Sequence, residues 1–147
     1  MQITHVDSLN ATFEKSHLWL KELVDEAGLD TEAQAYTILR AVMHTLRDRL
    51  TVDESAHLAS HLPMLIRGMF YEGWKPARTP IKYRSKEEFL GAIAGQLGNA
   101  QVDPEVACRA VFRFLSRKVN PGEINDVKLM LPAVIRELWN EPQGRRF

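Results

Sequence analysis

Asp53, His57 and His61 stand four residues apart in a segment that predicts a short helix. That spacing puts all three on one helix face. Two imidazoles at i and i+4 can hold one metal ion, and Asp53 would be the third ligand. The pattern is not a zinc-hydrolase signature, because HExxH is absent. A solvated helix edge is the plainer expectation for these weak metal candidates, and no cofactor is expected.

Arg109, Arg113 and Arg117 also step by four, with Lys118 beside them. Such a stripe can contact phosphates, or a protein partner. Its exposure beside Arg145 and Arg146 would favour nucleic acid. Arg67 and Arg136 occupy matched places in two otherwise apolar segments. Each stem can cover apolar surface while the head pairs with an acid, with helix carbonyls, or with an anion. Asp48, Glu54 and Glu123 are the candidate acids. Cys108, the single cysteine, lies between alanines and has no His/Asn partner set, so a buried inert thiol is expected. No GxSxG, GxGxxG or phosphate loop occurs. An enzyme is therefore not expected.

The elements that carry these residues occur twice. Displaced by 69 positions, Ala41 falls on Ala110, Leu46 on Leu115, Glu54 on Glu123, Leu62-Pro63 on Leu131-Pro132, and Arg67 on Arg136. Apolar residues recur at three- and four-residue steps, and no stretch alternates as a strand would. The first helix is expected over about Asn10 to Ala27, ended by Gly28. The second, capped at Asp30 or Thr31, runs to about Arg49. Thr51 and Glu54 read as a reciprocal capping box opening a third. Leu62-Pro63 breaks the chain before a fourth.

The fold class is thus all-α, a helical bundle of two related multi-helix repeats about a pseudo-twofold axis. The first repeat spans about 10–74, a linker 75–84, the second repeat about 85–140, and a frayed tail 141–147. The 147 residues are read as one domain. Neither repeat would hold a core comfortably alone.

Nineteen basic and nineteen acidic residues cancel, which lowers the expectation of a nucleic-acid coat or a membrane-surface protein. No secretory leader or membrane-length apolar run is read. A cytoplasmic setting is expected.

Leu46-Arg47-Asp48-Arg49-Leu50, Glu54-Ser55-Ala56-His57-Leu58, Leu62-Pro63-Met64-Leu65-Ile66-Arg67-Gly68 and Tyr71-Glu72-Gly73-Trp74 carry a resemblance. So do Phe112-Arg113-Phe114-Leu115-Ser116-Arg117 and Gly122-Glu123 followed by Leu131-Pro132. Over roughly residues 10 to 140 the chain resembles the bacterial family catalogued as domain of unknown function 2267. The resemblance implies a small all-helical cytoplasmic domain with no assigned activity. It gives no catalytic residues, and no role to His57 or His61.

The leading expectation is a non-enzymatic protein-interaction or regulatory module, binding a protein partner or itself. Met64, Met69, Phe70, Tyr71 and Trp74 offer an adaptable apolar cluster for that purpose. The alternatives are nucleic-acid binding through the arginine stripe, or a small-ligand or metal binder between the repeats.

Overall fold

A computed structural model describes residues 2–140. Among them are eight α-helices and no strand. They are α1 (Asp7–Ala27), α2 (Glu32–Arg49), α3 (Val52–Ala59), α4 (Met64–Tyr71), α5 (Lys86–Ala94), α6 (Pro104–Lys118), α7 (Pro121–Leu129) and α8 (Ala133–Arg136). Single 3-10 turns lie at Pro76–Arg78 and Glu137–Trp139. The expected tail, 141–147, lies outside the described residues.

Local chemistry sets the boundaries. Thr31 caps α2 with Gln34 closing the box, and Ser85 does the same for α5 with Glu88. Asp103 accepts from the Val106 amide, and proline at the first position of α6 needs no hydrogen-bond acceptor for its nitrogen. Gly28 ends α1 at φ 64°, a left-handed conformation that favours glycine. Two boundaries depart from expectation. Helix α1 starts at Asp7, where Asn10 Oδ1 accepts from the Ile3 and Thr4 amides and ties the lead-in to the first turn. Helix α5 stops at Ala94, before Gly98, because Gly95 begins a tighter turn.

Helices α2 and α6 form the centre. Helix α2 packs on α1, α4, α5 and α6; α6 packs on α1, α2, α5, α7 and the Glu137–Trp139 turn. One apolar cluster runs through both sequence repeats, from Trp19 and Leu23 through Ile38, Leu39 and Phe70 to Phe89, Phe112 and Phe114. Trp139 stacks on Phe112 at 4.0 Å, and Trp19 meets Phe114 edge-on at 5.3 Å. Helices α3 and α7 pack on each other. That contact brings matched stretches of the two repeats side by side.

Candidate functional sites

The α3–α7 seam holds the densest set of ionisable groups. Thr51 accepts from the Glu54 amide at 3.2 Å and starts α3. Ser55 donates to the Arg47 carbonyl at 3.0 Å and anchors α3 to the end of α2. Asn120 accepts from the Gly122 amide at 2.7 Å and starts α7. The expected reciprocal box at Thr51 is only half made, since Glu54 does not reach back to the cap. Its position in α3 faces α7, and its side chain is buried there beside Glu123.

His57 Nδ1 lies 2.6 Å from Glu123 Oε1 and 3.7 Å from Glu54 Oε2. The His57 and His61 rings are 5.5 Å apart. Ligand atoms of His57, His61 and Glu123 all lie within 4.8 Å of one another, as do those of Glu54, His57, Glu123 and Asp126. Asp53 is exposed and belongs to neither group. The sequence pattern therefore brings both histidines together but names the wrong acid. The acid that lies beside both histidines is Glu123, 66 residues past His57.

Burial pushes the Glu123 carboxyl up to about 8, helped by a hydrogen bond shared with Glu54 and by the negative charges of Glu54 and Asp126. Below that value one proton between the two carboxyls supplies the pair with a donor. With both ionised, neither Glu123 oxygen has a hydrogen-bond donor, and Glu54 Oε2 has none.

The arginines divide into two uses. Arg67 donates to the Ala59 and Leu62 carbonyls at 3.1 and 2.9 Å. Arg136 donates to Lys128 and Leu131 at 2.9 and 2.8 Å. Each closes the carbonyl end of the preceding helix, so carbonyls rather than acids are the partners. In the stripe, Arg109 is 6% exposed and bound to Glu105, Glu137 and the Asn140 carbonyl. Arg113 and Arg117 both reach Glu26, at 3.2 and 2.6 Å, and Lys118 pairs with Glu22. Arg145 and Arg146 lie outside the described residues.

Two buried groups went unread in the sequence. Arg47 donates to the Phe70 and Glu72 carbonyls at 2.7 and 2.9 Å. His44 donates Nε2–H to the Met69 carbonyl at 2.7 Å, with burial holding its pKa below the usual histidine range. Both serve the end of α4. Their signal in the sequence is weak, because each is a single polar residue of α2 whose partner lies 23 or 25 residues on.

Two of the surface concavities lie along α2 and the chain packed on it. A groove of about 160 Å³ between α1, α2 and α4 is walled by Phe13, Leu20, Tyr36, Leu65 and Ile66, with Ser16 and His17 on its α1 side. Ser16 Oγ is buried there without a hydrogen-bond partner. Of the cluster expected around Trp74, Met69 and Phe70 are core, whereas Met64 and the neighbouring Leu65 are about half exposed. A wider cleft of about 440 Å³ lies between the start of α2 and the chain after α5, with Arg40 its single charged residue. Arg40 already pairs with Glu72 at 3.1 Å.

The geometry thus defines an all-α protein with central helices α2 and α6, two arginine-closed helix ends, and a carboxylate–histidine seam. No described helix is long and apolar enough to cross a membrane. Residues 16–138 match the family described as "Uncharacterized conserved protein (DUF2267)", and the chain belongs to that family. No curated protein matches the chain.

Proposed function

We propose that this protein is a non-enzymatic interaction module that receives an apolar side chain of a protein partner between α1, α2 and α4. The groove carries the reading. Its walls are apolar, Leu65 at its rim is 49% exposed, and Tyr36 is 40% exposed. An amphipathic helix with a bulky apolar residue suits such a groove.

Two further observations support a non-enzymatic reading. Burial pushes the Cys108 thiol far up, which makes it a poor nucleophile. The arginines that could bind phosphates are engaged with Glu26, Glu105 and Glu137, so nucleic-acid binding has less support. A cytoplasmic setting goes with this reading.

The test is paired affinity capture from the native cell, with wild-type protein and Leu65→Asp as baits. Leu65 is exposed, so the variant should keep the wild-type circular-dichroism spectrum. A partner recovered by wild type and reduced at least about tenfold with the variant is expected, since tenfold is only 1.4 kcal/mol. Recovery of the same partners at equal yield by both baits overturns the reading.

A further inference from the structure

Glu54 and Glu123 face each other across the α3–α7 seam, 8% and 3% exposed. Among the described residues no arginine or lysine pairs with either, or with Asp126. A buried carboxylate without a cation is costly to keep ionised. The imidazole of His57 lies near both, and that of His61 near Glu123. His57 Nδ1 comes within 2.6 Å of Glu123 Oε1, yet that oxygen has no hydrogen-bond donor. An ion pair with His57 therefore leaves Glu123 poorly served, and it gives His61 nothing to do.

We propose that the seam binds one divalent transition-metal ion of the zinc class, held by His57 from α3, His61 from the turn that follows α3, and Glu123 from α7. The donor set is right for that class: two imidazole nitrogens and a carboxylate oxygen. The two rings are 5.5 Å apart although α3 ends at Ala59, so both can reach one ion. The ligand atoms already lie within 4.8 Å of one another. Two positive charges would offset the buried carboxylates of Glu54 and Glu123, which no described arginine or lysine meets. Asp126, exposed and within 4.8 Å of the ligand atoms of Glu54, His57 and Glu123, adds negative charge beside the site. The ion can enter from solvent, because the His57 side chain is 57% exposed. A site so built joins a helix of the first repeat to a helix of the second.

The test uses the full-length, untagged protein, stripped of metal and titrated at neutral pH with Zn²⁺ by calorimetry and with Co²⁺ by visible absorption. The expected result is saturation at one ion per chain, with a cobalt spectrum typical of nitrogen and oxygen ligands. His57→Ala, His61→Ala and Glu123→Gln should each weaken Zn²⁺ binding by at least about tenfold, a loss that even outer-shell partners of a metal site can cause. Saturating Zn²⁺ should raise the melting temperature of wild type and not of His61→Ala. The histidine variants change exposed or partly exposed side chains, so they keep the test open if Glu123→Gln fails to fold. Absence of stoichiometric binding overturns the proposal. So does binding that all the folded variants retain at wild-type affinity, which would move the ion to other residues.

Discussion

The Arg67 guanidinium spans two carbonyls at the end of α3 and just past it, those of Ala59 and Leu62. Its recurrence at Arg136 marked both as structural, and helix carbonyls were among the expected partners. The acids lost because Glu54 and Glu123 turn toward each other across the seam. That turn depends on α3 meeting α7, a contact between segments far apart in the chain. With Arg67 replaced by Leu, the Ala59 and Leu62 carbonyls lose their donor, and a cost of about 1–3 kcal/mol is expected. Arg67→Lys should recover little, because an ammonium lacks the planar fork that spans two carbonyls. Urea unfolding of the two variants at neutral pH checks this. Equal stability of Arg67→Leu and wild type would show that water serves those carbonyls well enough.

At the scale of elements, the helices are legible in the sequence and their pairings are not. Caps at Thr31, Ser85 and Asp103 are local, so their residues are neighbours in the chain. The arginine stripe on α6 was also visible, yet Glu26, its partner on α1, lies 87 residues before Arg113. No periodicity links the two. The pairing has a pH signature. Burial alone would raise the Glu26 carboxyl, but hydrogen bonds from Arg113 and Arg117 and their charges hold it below its ordinary value. A depressed folded-state value means that the contribution is present above the ordinary carboxylate range. It is lost as pH falls through the folded value. Thermal melts from neutral pH to acid should therefore show a decline that is shallower in Glu26→Gln, because the variant has no proton to take up there. At neutral pH the variant should be the less stable of the two. Parallel acid declines in variant and wild type would assign the loss to other carboxylates, Glu105 first, which Arg109 holds low in the same way.

For the whole molecule, the question is whether the sequence repeats are also folding units. The packing argues that they are not. Helix α1 of the first repeat lies on both α2 and α6, and α2 itself packs on α5 and α6. Trp19 is buried at 3% exposure with its ring edge-on to Phe114 of the other repeat. Cutting the chain in the segment 75–84 would strip Trp19, Ile38 and Leu39 of many apolar neighbours. A half of this size has little stability to spare, since below about 70–80 residues a single core rarely supplies more than 3–5 kcal/mol. Losing even one large aromatic contact set, as in Phe→Ala, costs about 3–5 kcal/mol. A fragment of residues 1–80 is therefore expected to keep helix by far-ultraviolet circular dichroism. It should bind a hydrophobic dye and melt without a sharp transition. Adding residues 81–147 should restore cooperative melting and release the dye. A fragment that melts sharply alone would mean that each repeat carries its own core, with α2 and α6 meeting as finished surfaces.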